Sequence, residues 1–227
     1  MALNTAMILA AGRGERMRPL TDLVPKPLLQ VQHKPLIEYH LEALKCAGYQ
    51  RVVINHAWLG EQFESVLGAG ERFGLDIFYS AEAQALETAG GIVNALPMIC
   101  ADKSHDVFTV VNGDIFTDFD FDTLPTCLPN DIDVHLVMVN NPIHNPDGDF
   151  YFTGHGLHPK QGRKLTFSGI AVYRSSFFAQ MSLGIKPLAP MLRSAINRGV
   201  ISAQHFTGQW TDVGTPQRLT ELNTIKS

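Results

Sequence analysis

The chain has 227 residues, is 45% hydrophobic and carries a formal net charge of -4, with a pI near 6.1. Such a length supports one domain with a sizeable core, and the acidic balance excludes a general electrostatic surface for nucleic acid. The three cysteines, Cys46, Cys100 and Cys127, show no paired spacing and are expected to be reduced thiols in a cytoplasmic protein. The opening apolar run lacks a charged flank and is too short for a signal peptide or a membrane span.

Strand-like and helix-like stretches alternate through the first half. Thr5–Leu9 reads as the first strand and enters a loop holding Arg13, Arg16, Arg18 and Lys26. Pro35–Ala47 has a helical apolar period through Leu36, Ile37, His40, Leu41 and Leu44, with Gly48 as its stop. Arg51–Asn55 reads as a buried strand and Leu59–Leu67 as a helix with Phe63, Val66 and Leu67 inward. Leu75–Tyr79 is a third strand, Ala89–Leu96 a short helix ended by Pro97, and Val107–Val111 a fourth strand. This alternation predicts an α/β fold, a mainly parallel Rossmann-like sheet flanked by helices. The second half changes rhythm. Val134–Asn140 reads as a strand, and Asp149–Thr153 and Leu165–Tyr173 read as antiparallel additions. Pro187–Arg198 is helical, Ile201–Phe206 extended, and Pro216–Ile225 a closing helix with proline in its first turn. No linker or repeat interrupts the chain. A single domain over 1–227 is expected, with a nucleotide-binding half (1–111) and a substrate half (112–227).

Three segments carry candidate chemistry. The first is Ala10, Ala11, Gly12, Arg13 and Gly14 with the basic residues that follow. Glycines after a strand let backbone N–H groups approach anionic oxygens, and the cations neutralise them, so a flexible polyphosphate grip is expected. It is neither a Walker A loop, lacking Gly-Lys-Ser/Thr, nor a Rossmann fingerprint, since Met17 holds the third glycine position. The second is Asn112-Gly113-Asp114 at the end of the fourth strand, where open α/β sheets bind ligands. The third is Trp210-Thr211-Asp212-Val213-Gly214-Thr215, which opens the last helix. Two carboxylates from distant segments suit a Mg²⁺ that keeps waters and bridges phosphates. The nine histidines make no metal set. His155 and His158 form the nearest pair, without a third ligand.

The longer string is more specific. Gly12, Gly14, Arg16, Met17, Pro19, Leu20 and Thr21, followed by Pro25-Lys26-Pro27, resembles the signature of the sugar nucleotidyltransferases. That resemblance implies the nucleotide-diphospho-sugar transferase type of sheet. It gives Mg²⁺ to Asp114 and Asp212, and charge stabilisation to Arg16 and Lys26. It gives nucleotide binding to residues 10–14, Lys26, Glu82, Thr88 and Gly90. Glu82 would accept a base N–H, and Thr88–Gly91 would begin a helix with N–H groups near the substrate. The family's common Leu-Gly-Thr-Ala-Gly reads Leu86-Glu87-Thr88-Ala89-Gly90 here, so Glu87 departs from it. Asn112, Gly148, Asp149, Ser168 and Gly169 would face the sugar. A Glu-Lys-Pro segment common in relatives is absent, leaving Lys160, Arg163 or Lys164 to meet the sugar phosphate.

The short length, the base segment, that missing element and the Asn-His-Ala-Trp-Leu-Gly run at 55–60 resemble a subgroup of cell-wall recycling. Its members join UTP to N-acetylmuramic acid 1-phosphate in peptidoglycan salvage. Guanylyl or thymidylyl transfer to another sugar 1-phosphate, or a non-catalytic sensor of sugar nucleotides, are the competing expectations. Neither nucleic acid nor membrane is an expected partner, and a monomer is mildly preferred.

Overall fold

Residues Thr5–Leu9 (β1) are apolar or small and largely buried, the pattern of a central parallel strand covered on both faces. The computed structural model describes residues 5–101, 106–154 and 156–224. The predicted positions His155 and Ile225 lie outside the described residues. After β1 come Gln30–Val31 (β2), Lys34–Pro35 (β3), helix Leu36–Cys46 (α1), Arg51–His56 (β4), helix Glu61–Leu67 (α2), Asp76–Ala81 (β5) and helix Glu87–Ile99 (α3). Then come Val107–Asn112 (β6), Ile115–Thr117 (β7), Val134–Val139 (β8), Phe150–Phe152 (β9), Leu157–His158 (β10) and the long Arg163–Arg174 (β11). Helix Ala189–Arg198 (α4), Ile201–Phe206 (β12), Trp210–Asp212 (β13) and helix Pro216–Thr224 (α5) complete the described fold.

The main sheet runs β10-β9-β11-β6-β1-β4-β5, with β8 on β11 and β12 on β8. Strands β6, β1, β4 and β5 are mutually parallel, β12 is parallel to β8, and β11 is antiparallel to β6, β8 and β9. Alternate residues of one strand serve opposite layers. Ala6 and Ile8 pack with Ile37, Leu41 and Phe63 from α1 and α2. Met7 and Val53 pack with Ile92, Leu192 and Ile196 from α3 and α4. The expected mixed, mainly parallel sheet between helices is what forms. Among the described residues no helix is long and apolar enough to cross a membrane.

Three local readings change. The helix α3 starts at Glu87 and carries Pro97 inside it. A proline so near the end removes one backbone bond without stopping the last turn, and Cys100 N–H still bonds Leu96 O at 2.8 Å. The helix α2 begins only at Glu61, because Leu59 takes a left-handed φ of 52°. Val66 is exposed while Phe63 and Leu67 are buried, so its apolar stripe is narrower than the sequence suggests.

A third apolar cluster positions the site. Met17, Leu29, Val31, Leu36 and Val213 pack with Leu219 and Leu222 of α5. Met17, at the position a Rossmann glycine would hold, is fully buried. It pins the basic loop to the last helix, a burial that contributes about 1.5–3 kcal/mol.

Candidate active site

The carboxyl ends of β1, β4 and β6 open into a cleft of about 640 Å³. Ala10, Ala11, Gly12, Gly14, Arg16, Lys26, Glu82, Thr88, Asn112 and Asp114 all line it, so ten predicted positions meet in one place. The loop that supplies six of them has regular local structure. It is three single turns, Glu15–Met17, Leu20–Asp22 and Lys26–Leu28, and Thr21 Oγ1 donates to Gly14 O at 2.9 Å.

Two of the loop's four cations are used internally. Arg13 donates to Asp22 Oδ1 at 2.7 Å and to Thr21 O at 2.7 Å, and its guanidinium lies 4.2 Å from the Trp58 ring centroid. Arg18 also binds Asp22, at 2.9 Å. The Arg13 hydrogen bond leads the causes that hold the Asp22 carboxyl below its ordinary value. Arg13 does not line the cleft. Arg16 and Lys26 face the cleft. Lys26 is almost fully buried, and its Nζ donates to Asp114 Oδ2 at 2.6 Å.

Asp114 and Asp212 are brought together by β7 and β13. Asp212 pairs with Ile115 across that ladder, and Val213 N–H donates to Asp114 O at 2.7 Å. Arg218 of α5 is ion-paired to Asp212 Oδ2. His144 Nε2 lies 2.7 Å from Oδ1. That approach is not aligned as a hydrogen bond, so Oδ1 stays buried without a hydrogen-bond partner. Each carboxylate is bound to a cation through one oxygen, and Asp212 keeps an unsatisfied one. Two such hard oxygen donors fit a divalent cation that takes its remaining ligands from phosphate and water. Gly214 sits among these groups. A Cβ there would lie 2.8 Å from Asp212 Oδ2, 2.9 Å from Arg218 Nη1 and 3.2 Å from Arg16 Nη2.

Around Glu82, Asn55 is a positioning residue that sequence reading did not single out. Buried at the end of β4, it accepts from Ala10 N–H at 2.9 Å and donates to Glu82 Oε1 at 2.6 Å. Glu82 Oε2 accepts from Leu86 N–H at 2.9 Å. Ala10 N–H is thus already committed, and base carbonyls would have to use later amides of the loop. A polar residue ending an otherwise apolar strand was the available signal. The helix N-terminus is also covered: Ala89 and Gly90 N–H both donate to Lys186 O, at 3.0 and 3.2 Å. Gly90 does not line the cleft. It makes room for the 184–186 strap, since a Cβ would fall 2.2 Å from Gly184 O. That strap adds Ile185 to the cleft lining.

The predicted sugar residues divide. Gly169 (φ 85°) lies in the irregular stretch of β11 between Phe167 and Ala171, close against Asn112. Ser168 is buried; its Oγ accepts from Ile170 N–H at 3.0 Å, and its carbonyl accepts from Trp210 Nε1 at 2.9 Å. Asp149 accepts from Asn145 Nδ2 at 3.1 Å and Phe167 N–H at 2.9 Å. Gly148 packs on Asn141. Ser168, Asp149 and Gly148 shape the backbone around the cleft and do not line it. Nor does Lys160, Lys164 or Arg163. Lys160 and Lys164 border a separate depression, and Arg163 reaches Asn140 Oδ1 at 3.4 Å.

The family model described as Nucleotidyl transferase matches residues 5–133. An N-acetylmuramate alpha-1-phosphate uridylyltransferase of Neisseria meningitidis serogroup B is 50% identical over 97% of both chains. The chain belongs to the nucleotidyl transferase family. A mannose-1-phosphate guanylyltransferase catalytic subunit beta of Drosophila pseudoobscura is 28% identical over 93% of this chain, which spans 59% of that relative. Among solved structures, a protein assigned as a glucose-1-phosphate thymidylyltransferase of Bacillus anthracis superposes with a TM-score of 0.79 at 21% identity. That match covers 97% of this chain and 94% of the other, and it establishes the fold. Family membership makes the protein an enzyme. The Leu-Glu-Thr-Ala-Gly departure also gains a physical meaning: Glu87 has φ 63°, a conformation glycine adopts freely and other residues only with strain.

Proposed function

We propose that the protein transfers the uridylyl group of UTP to N-acetylmuramic acid 1-phosphate, releasing pyrophosphate and UDP-N-acetylmuramic acid for cell-wall recycling. The observation that carries this reading is a cleft lined by the Lys26–Asp114 pair, Arg16 and Glu82, with Asp212 set beside it next to Gly214. The full-length likeness to the Neisseria uridylyltransferase supports the choice of base and sugar.

A sugar phosphate oxygen attacks the α-phosphorus of the nucleotide in line. The second pKa of a phosphate monoester is about 6, so this nucleophile is already ionised near neutral pH and needs no general base. The residues then have positioning and charge stabilisation to provide. Lys26, buried and aimed by Asp114, meets the charge developing on the transferred phosphoryl group. Arg16 faces the departing pyrophosphate. Asn55 holds Glu82 so that its carboxylate accepts a base N–H. Asn112, backed by Gly169, meets the sugar. Magnesium, held by Asp114 and Asp212, would supply charge neutralisation between the phosphates when bound.

The test is pyrophosphate release from UTP with N-acetylmuramic acid 1-phosphate, compared with glucose 1-phosphate and N-acetylglucosamine 1-phosphate. Clear preference for the muramic substrate is the expected result. No turnover of that substrate would overturn the sugar assignment. Tight UTP binding with no turnover of any sugar phosphate would favour a sensor.

A further inference from the structure

We propose that the protein has a second anion site, on the α4 side of the sheet, that accepts a small phosphate monoester carried on a hydroxylated carbon body. The site is a depression of about 310 Å³ between β9, β10, the start of β11 and α4. It shares no lining residue with the nucleotide cleft. Lys160, Lys164 and Arg193 border it. Among the described residues none of the three makes an ion pair. Three cations against one carboxylate around a single concavity stand out in a chain of net charge -4, and they focus a positive potential there.

The cations are partly held in place. Lys164 Nζ lies 5.4 Å from the Tyr151 ring centroid and Arg193 5.6 Å from that of Phe150, and such contacts hold a cation over an aromatic face. His158 is also part of the lining. Its Nδ1 accepts from the backbone N–H of Lys160 and Gln161, at 3.1 and 3.0 Å. An accepting Nδ1 places the ring proton on Nε2. The single carboxylate in the lining, Asp149, accepts from Asn145 and Phe167 and pairs with none of the three cations; its charge offsets one of them and leaves the lining net positive. A doubly charged phosphate oxygen cluster fits such a set, and the Tyr151 face and polar rim suit an attached sugar or polyol.

The probe is glucose 6-phosphate, whose phosphate is not on the anomeric carbon, titrated by calorimetry into the full chain at low ionic strength. Saturable one-site binding is expected in the wild type and equally in Asp114→Asn. The double variant Lys164→Glu/Arg193→Glu should bind at least about tenfold more weakly, with its fold checked by thermal melting. If that variant unfolds, Lys160→Glu on the exposed loop should weaken binding in the same direction. Absence of binding in the wild type, unchanged binding in the charge-reversed variants, or loss of binding in Asp114→Asn would each overturn the proposal. Inorganic phosphate binding as tightly as glucose 6-phosphate would overturn the ester part of it.

Discussion

Replacing Gly12 with alanine separates what the loop needs for folding from what it needs for its ligand. Gly12 lines the cleft, its φ lies outside the left-handed region, and an added Cβ would meet no atom within 4 Å. The folded protein therefore accommodates alanine without strain. Alanine also narrows the unfolded ensemble, which stabilises the fold by about 0.4–1 kcal/mol, or roughly 1–4 °C in Tm for a chain of this size. The nucleotide meets a different situation. If the loop amides cradle phosphate oxygens, a methyl group on that surface holds the oxygens off. Losing one charge-assisted hydrogen bond costs about 1.5–3 kcal/mol, or about 10- to 150-fold in kcat/KM for UTP. Thermal melting and pyrophosphate-release kinetics over a range of UTP concentrations measure the two effects independently. A variant with unchanged Tm, kcat and KM would refute a backbone cradle at this position. A destabilised one would refute the open space described for the folded state. Gly14→Ala is the internal contrast. At φ 68°, with Thr21 Cγ2 3.0 Å from the new Cβ, it should lose about 1–2 kcal/mol of stability before any ligand is added.

Lys26→Met should lower kcat/KM by about 10²–10³ while Tm changes little, because the Asp114 side chain left behind is 38% exposed and stays solvated; equal losses of activity and folded fraction would assign Lys26 to structure instead. Gly214→Ala should lower kcat by up to about 10²-fold, the scale of a misplaced reacting group, through its crowding of Asp212, Arg218 and Arg16; steady-state kinetics with normal turnover would show that these side chains move aside freely. Glu87→Gly should raise stability by about 0.5–1 kcal/mol, the strain at φ 63° less the entropy cost of glycine; denaturant unfolding giving a less stable variant would contradict it. Burial depresses the His40 pKa to about 4, below its unfolded value, so the unfolded chain binds the extra proton first. The stability due to neutral His40 is complete above about pH 6.5 and is lost by roughly 3 kcal/mol as pH falls towards 4; burial lowers His135 too, with the same sign. Unfolding free energies flat across that window would refute the assignment.

The parallel half of the fold was legible because its strands are short apolar runs separated by helical periods, and β1 and β12 were read with their observed bounds. The meeting of Ala10, Ala11, Gly12, Gly14, Arg16, Lys26 and Asp114 was legible because strand ends in such a sheet converge. What could not be read was how side chains are shared. Arg13 looks like a phosphate ligand in a string of cations. It is withdrawn by Asp22 and Trp58, one of them 45 positions away in the chain. Asp149 and Ser168 were expected at the sugar, and their hydrogen bonds to Phe167, Asn145 and Ile170 are not visible in the sequence. Lys160 and Lys164 match the needed charge, yet the β10–β11 connection and the start of β11 place them at the depression bordered by α4. Polar residues in a motif carry no mark of whether their oxygens are already satisfied, and that is decided only by tertiary partners.

The glycines illustrate the same point from the backbone side. The motif segments are glycine-rich, and a phosphate grip is the obvious reason, but most of these glycines answer to a neighbouring side chain or backbone group. A Cβ at Gly91 would meet Asn55 and Glu82 at 2.7 Å, at Gly113 the Leu9 carbonyl at 2.9 Å, and at Gly169 the Asn112 side chain at 2.6 Å. In each case the backbone passes beneath a group that the site needs in place, so substitution would disturb that group even with no ligand bound. Loss of activity at Gly91, Gly113, Gly169 or Gly214 would therefore not distinguish phosphate binding from displaced scaffolding. Gly12 differs: its conformation is open to alanine and the space beside it is empty of protein atoms. A requirement for glycine there would have to come from the ligand.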